Sequence, residues 1–494
     1  MLGGKLLQII KKMDRKEMTR FAEFVHSPFF NKHEKVQTLV DLLAGQFPRF
    51  GEDHFDPEEV FAHVYPGEVF EKNKLAVVFT YTQRLLEEFL SIEQFKCKGN
   101  WKSILFLEDL RQRKIYPLYE KQMKKVAKDI ENQTLSNQIH LFDYYLLSAE
   151  KYEYYDSIEK RQKDFSFQEK QNALDYYYLS EKFKDACEKQ VRSKILNVNY
   201  RSRLMEAAVE EVERHQEEYR QIPGIFMYYR FYLMLSRENE EQYYFDSYQF
   251  LSRNEDGFGR TELIQLYNYL QNYCIEKINE GQPQFLNEIF KLYKSQLQNG
   301  LLIEDGYLSE WHYKNIVTTA IRLGEMDWVR GFIEEFKKHL HPESEENAYR
   351  FNLASYYHAS GQYDQVLELL TRVEYSDQRY NLGAKALLLR TYYEIDELDP
   401  LISLTDSFRQ YLLRNKLMSD GMRKGYYNLF KLTKRCALIR TNRSFYSAER
   451  YLKEVKQLER AFQNTPAIFN RSWLEGKLQD LIKKTEKKKG VSSQ

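Results

Sequence analysis

The chain has 494 residues, with 74 Lys and Arg against 73 Asp and Glu for a formal charge of +1. That balance excludes a chain that is basic throughout, as a surface built mainly to hold phosphate backbones would be, and leaves room only for a local basic patch. The length suffices for about three ordinary domains and for several cores that need neither disulfides nor metals.

The mean hydropathy of −0.68 sits beside a hydrophobic fraction of 43%. The two agree once the 39 Tyr and 32 Phe are counted as core, because a Tyr ring buries while its hydroxyl reaches water or a carbonyl. Cys97, Cys187, Cys274 and Cys436 lie far apart without a CxxC pair, which points to reduced, structural thiols in a reducing compartment. The opening "MLGGKLLQIIKKMDRK" is too short and interrupted in its apolar run for a signal peptide. No window nears ~18 continuous apolar residues, so no membrane span is expected and the chain reads as cytoplasmic.

Taken in order, the first element is announced by Asp14-x-x-Glu17, a capping box with Asp at the cap. Pro28 biases Ser27 away from helix and ends it in "HSPFFNK". There Phe29 and Phe30 are expected to fill a corner, and Asn31 with Glu34 to start the next helix. In "FDPEEVF", Asp56 caps, Pro57 takes the first helical position, and two acids suit the helix dipole. Further corners, "GQFPRFGEDHFDPEE" and "VYPGEVFEKNK", precede the long "KLAVVFTYTQRLLEEFL". Residues 1–100 thus form a small N-terminal helical domain or cap. Its opener, together with "VFAHVYPGE" and "LLEEFL", resembles an uncharacterised family of bacterial helical-repeat proteins, a likeness that implies architecture and no activity.

Residues 101–200 read as long helical hairpins of degenerate repeats. Ile139, Phe142, Leu146, Ala149 and Tyr152 make one apolar stripe, and Leu179, Phe183, Cys187, Val191 and Ile195 another. Ser166-x-x-Glu169 marks a helix start. The Tyr clusters "DYYYL", "MYYRFYL" and "QYYFDSY" are assigned to helix packing rather than to base stacking, since Glu240, Glu241 and Asp246 offset Arg230.

Residues 201–483 carry the repeats. Leu263, Tyr267, Leu270, Cys274 and Ile278 step by three or four, and the Asp-Gly steps at 256, 305 and 420 are expected to join helical segments, so the class is all-α. In "NLASYYHASGQYDQVLELLTRV", Ala354 and Tyr357 lie on one helix, Gly361 turns the chain, and Val366 and Leu370 face inward from the next. This resembles the tetratricopeptide (TPR) repeat, although Val366 and Val373 stand where small residues are usual and the closing Pro is missing. Turns at Gly324, Gly361 and Asp396 are spaced close to the ~34 residues of that repeat. The resemblance runs from 311 to about 405 and degenerates over about 200 to 480, with echoes near Asn239, Gly281 and Arg443. It implies a right-handed α-solenoid of stacked pairs that bury their apolar faces together. Residues 484–494 read as a frayed tail.

Chemistry is sparsely marked. His339, His341, Glu343, Glu345 and Glu346 sit in a Pro-bearing linker and are assigned to a helix start rather than to a metal. His26, His33, His54 and His63 lack a nucleophile or carboxylate in an assigned role, and Gly257-x-Gly259 lacks the strand and the Lys-Ser/Thr pair of a phosphate loop. No GxSxG, HExxH or kinase set occurs, so no enzyme activity, cofactor or metal is expected.

The remaining candidate is the groove implied by the repeat alignment. It is lined by Lys314, Thr318 and Arg322, then Phe351, Ser355 and His358, then Arg390 and Tyr393. Its cations suit acidic side chains or a peptide carboxylate. The expectation is a cytoplasmic, non-enzymatic protein-interaction scaffold or adaptor. The alternative is a regulator whose segment 56–90 reads a DNA groove with Lys72, Lys74 and Arg84, few bases for that task.

Overall fold

A computed structural model describes residues 4–48, 56–131, 138–158, 165–196, 198–237, 239–371, 378–414 and 420–491. The chain is all-α, with 24 α-helices and one two-stranded hairpin among the described residues. It divides into two compact units, Met1–Gly257 and Phe258–Gln494.

The first unit opens with α1 (Gly4–Ile10), α2 (Arg15–His26), α3 (Glu34–Gln46), α4 (Pro57–Val64) and α5 (Lys72–Lys96). The long α5 packs on α1, α2 and α3 around a core that includes Leu6, Ile10, Phe21, Leu39, Phe61, Leu75 and Leu86. The Asp14 box closes in both directions: Glu17 N donates to Asp14 Oδ1 at 2.7 Å, and Asp14 N to Glu17 Oε2 at 2.8 Å. Asp56 Oδ1 accepts from Glu58 N at 3.0 Å, with Pro57 starting the helix. The "HSPFFNK" corner differs from expectation. Ser27 leaves the helix with extended backbone, as Pro28 requires. His33, not Asn31, precedes α3. Asn31 is buried and pins the corner, donating to Val25 O at 3.0 Å and accepting from His33 N at 2.9 Å. A buried amide must satisfy both ends, and the corner uses both. Phe30 stacks on Phe24 with ring centroids 4.0 Å apart, whereas Phe29 is 86% exposed and only meets the Phe30 ring edge-on from outside, at 4.9 Å.

Next come α6 (Trp101–Gln112), α7 (Tyr116–Glu131), α8 (Gln138–Ser157) and α9 (Ser166–Leu196), with α8 packed on α6, α7 and α9. The predicted α8 stripe is displaced. Ile139 is exposed, while Leu141, Asp143, Leu147, Ser148, Glu150 and Tyr154 are buried. A helix with neighbours on several sides buries polar positions wherever a partner exists, and hydrophobic spacing cannot register that. Here Asn100 Nδ2 donates to Asp143 at 3.1 Å, and Arg111 grips Glu150 through two N–H groups at 2.7 and 3.0 Å. On α9, Leu179, Phe183 and Cys187 are buried as expected.

The unit ends with α10 (Met205–Arg214), α11 (Gln216–Tyr219), α12 (Pro223–Ser236) and α13 (Gln242–Asn254). Lying between α9 and α13, α12 is apolar nearly all round. Its Tyr cluster is packing material: Phe183 of α9 meets the Tyr229 ring at 5.4 Å, and Tyr228 is fully buried.

The second unit contains α14 (Arg260–Asn279), α15 (Phe285–Gln298), β1 (Ile303–Glu304), β2 (Tyr307–Leu308), α16 (Glu310–Leu323) and α17 (Met326–Phe336). It continues with α18 (Pro342–Ala359), α19 (Tyr363–Thr371), α20 (Gln378–Glu394), α21 (Leu398–Arg414), α22 (Asp420–Thr441), α23 (Ala448–Gln463) and α24 (Arg471–Val491). The Asp305-Gly306 step corrects the expectation that each such step joins helices. It turns an antiparallel hairpin pairing Ile303 with Leu308 and Glu304 with Tyr307. Both turn residues have positive φ, 50° and 87°, the backbone a two-residue hairpin loop demands.

The three predicted repeat turns are left-handed: φ is 79° at Gly324, 73° at Gly361 and 65° at Asp396. Only Asp396 carries a side chain into that region, and it is held by an ion pair to Arg440, which also donates to Tyr393 O. Each even-numbered helix from α16 to α20 packs on the helix after it and on the next even-numbered helix; α22 does the same with α23 and α24. His341 Nδ1 accepts from Glu343 N at 3.4 Å and caps α18, so the His-Glu linker is a helix start.

Candidate functional site

The eight groove residues fall on α16, α18 and α20, but not on one open face. Thr318 and Arg322 are exposed, Lys314, Ser355 and Arg390 are half-buried, and Phe351, His358 and Tyr393 are buried. Ser355 returns its hydroxyl hydrogen to Phe351 O at 2.9 Å, inside its own helix. Tyr393 lies between helices, with the Arg440 guanidinium 4.0 Å from its ring centroid and the Trp473 ring 5.5 Å away.

Two clusters emerge along this row. At one end the Lys314 ammonium lies 5.1 Å from the Phe351 ring, 5.7 Å from Trp311 and 5.9 Å from Tyr380. Gly383 makes room, because a Cβ there would stand 3.0 Å from Phe351 Cε2 and Cζ. This close approach of α18 and α20 is a packing reason for a glycine inside a helix, where it otherwise weakens the element.

At the other end sits a polar nest. Arg390 Nη2 lies 3.4 Å from His358 Nδ1, and its guanidinium is 5.3 Å from the centre of the Trp473 ring. One turn on, Glu394 accepts from Trp473 Nε1 at 2.8 Å and from Lys477 Nζ at 2.9 Å. Burial, then the positive charges of Arg390 and Lys477, pulls the His358 pKa down to about 3, so the ring is neutral at pH 7. Burial lowers Arg390 to about 10, with the Glu394 carboxylate opposing the shift, and it stays charged at neutral pH.

Arginine has only donors, so His358 Nδ1 must accept and Nε2 must carry the hydrogen. Among the described residues neither His358 Nε2 nor Arg390 Nε has a hydrogen-bond partner, and both atoms are buried. An unmet buried donor costs about 1–3 kcal/mol. One belongs to the Arg390 guanidinium itself, whose desolvated charge favours an oxyanion as partner; the other lies on the side of the His358 ring away from it.

Sequence reasoning found His358 and Arg390 but missed Glu394, Trp473 and Lys477. The only signal was their spacing: Arg390 and Glu394, like Trp473 and Lys477, stand one helical turn apart. In the N-terminal region, Lys74 is held by Glu68 at 3.0 Å and Glu71 at 2.7 Å, which withdraws one of the three bases of the regulator reading. No helix among the described residues is long and apolar enough to cross a membrane. Comparison with protein-family models, with curated proteins and with solved structures finds no match to this chain.

Proposed function

We propose that the protein is a non-enzymatic interaction scaffold whose helices α16 to α23 act as TPR-like pairs of an α-solenoid, and that a protein segment docks along the α16–α18–α20 row. The alternating packing order and the three left-handed turns support the solenoid reading. The docking reading is carried by one observation, the two unmet buried donors His358 Nε2–H and Arg390 Nε–H beside the Arg390 charge. A carboxylate of the segment would reach the Arg390 guanidinium by displacing the side chains that cover it, with exposed Arg322 engaging a second acidic group. A row borne on packed helices is already ordered, so a docking peptide meets little further entropic cost on the scaffold side.

The test is fluorescence anisotropy with labelled peptides ending in Asp or Glu, each with a free or an amidated C-terminus. Free carboxylates should bind more tightly, and Arg390→Met should weaken them by about tenfold, the loss of one charge-assisted hydrogen bond. Equal binding of free and amidated peptides, or unchanged binding in a folded Arg390→Met variant, would refute the reading.

A further inference from the structure

The first unit holds a cleft of about 400 Å³ between α12 and α13, edged by the end of α11. Three of its walls are guanidiniums, Arg220, Arg230 and Arg253, against one carboxylate, Asp246. Asp246 is ion-paired with Arg230. Among the described residues Arg220 has one ion pair, with the exposed Glu217 at 3.4 Å, a contact of little worth in water. Arg253 has no ion pair among the described residues. The cleft therefore carries about two positive charges that its own walls do not match.

Two of the three guanidiniums are also backed by an aromatic ring. Arg220 and Arg230 lie 5.6 and 5.8 Å from the centre of the Phe226 ring, and Phe250 meets that ring edge-on at 5.1 Å. Phe226 is one helical turn before Arg230 on α12, and Phe250 one turn after Asp246 on α13, so the helix period alone alternates ring and charge around the opening. Asn254 Nδ2 donates to Phe250 O at 2.8 Å and ties down the end of α13. Two aromatic rings thus meet a mainly charged and polar lining in one concavity, a composition that would hold a ligand by charge more than by apolar burial.

We propose that this cleft binds a phosphate monoester. Such a group carries about −1.5 to −2 at pH 7, the charge the cleft lacks, whereas a carboxylate supplies only half of it. Its oxygens suit the planar donor forks of arginine better than a point ammonium would. The ester's organic part lies against Phe250, which is half-buried and so retains open ring surface. The shared chemistry is that of a phosphorylated side chain, a nucleoside monophosphate or a small phosphate ester.

The experiment is calorimetric titration of the full chain with phenyl phosphate, AMP, a phosphotyrosine peptide, inorganic phosphate and benzoate. One site per chain is expected, with at least one ester about tenfold tighter than benzoate or inorganic phosphate; the tightest ester identifies the source. Arg253→Ala and Arg220→Ala, both at exposed positions, should each weaken it by about tenfold, and Arg253→Lys by less. Arg390→Met should leave it unchanged, which separates this site from the peptide-docking reading. Absence of ester binding, equal affinity for inorganic phosphate and every ester, or affinity unmoved by both alanine variants overturns the assignment.

Discussion

Replacing Arg111 with Met removes one half of the pair that joins α6 to α8. The Glu150 side chain is 8% exposed and that of Arg111 19%, so the carboxylate has little bulk water as an alternative partner. Burial already raises the Glu150 pKa, and it outweighs the lowering by the Arg111 hydrogen bonds. Without Arg111 the carboxylate is left buried and uncompensated, a loss of about 3–5 kcal/mol. The pH dependence has a definite sign. A carboxyl whose folded pKa is raised binds more protons folded than unfolded, so stability falls as pH rises through the raised value. The variant should therefore be weakest at neutral and alkaline pH and recover as the medium is acidified. Arg111→Met combined with Glu150→Leu should regain most of the loss, because an apolar pair of similar volume needs no compensation. The assay is denaturant unfolding at pH 7 and pH 5, with hydrogen exchange of Trp101–Gln112 and Gln138–Ser157 to localise the effect. A single-variant loss below about 1 kcal/mol, or a double variant as unstable as the single one, would refute the reasoning.

Three further outcomes are expected. Phe30→Ser should destabilise by about 1–2 kcal/mol through loss of its stack on Phe24, while Phe29→Ser should be nearly neutral; thermal unfolding of the two variants decides between corner packing and an exposed ligand loop. Leu204 precedes α10 with φ 58° and its side chain exposed, so Leu204→Gly should raise stability by about 1 kcal/mol in the same assay. His358, held at about 3 when folded against about 6.5 unfolded, takes up a proton on unfolding. Its contribution is present above about pH 6.5 and is lost as pH falls towards 3, so His358→Gln should flatten the acid side of the stability profile.

Local chemistry was the most legible part of the sequence. The Asp14 box and the Asp56-Pro57 start act within one helical turn, so their residues alone decide them. The same holds for Gly324, Gly361 and Asp396, where the backbone must enter a region that few side chains tolerate. Misreadings began where a residue had more than one local use. Asn31 was equally suited to cap a helix and to tie a corner, and the nearness of Val25 O selected the second. Asp305-Gly306 suited either a helix junction or a hairpin, and short flanking strands are too brief to show an alternating period.

Helical class, the Asp14 and Asp56 caps and the turns at Gly324, Gly361 and Asp396 were thus determined by the sequence itself, because period and capping are local properties of the chain. Tertiary structure alone decided which faces are buried and which charges meet. α8 packs on three neighbours, so its buried set includes Asp143 and Glu150, which no hydrophobic stripe contains. α24 brings Trp473 and Lys477 to Glu394 and Arg390, and α13 brings Asp246 to Arg230. Such meetings depend on how whole helices pack, and a charge has no preferred partner until packing removes the water that would otherwise serve it.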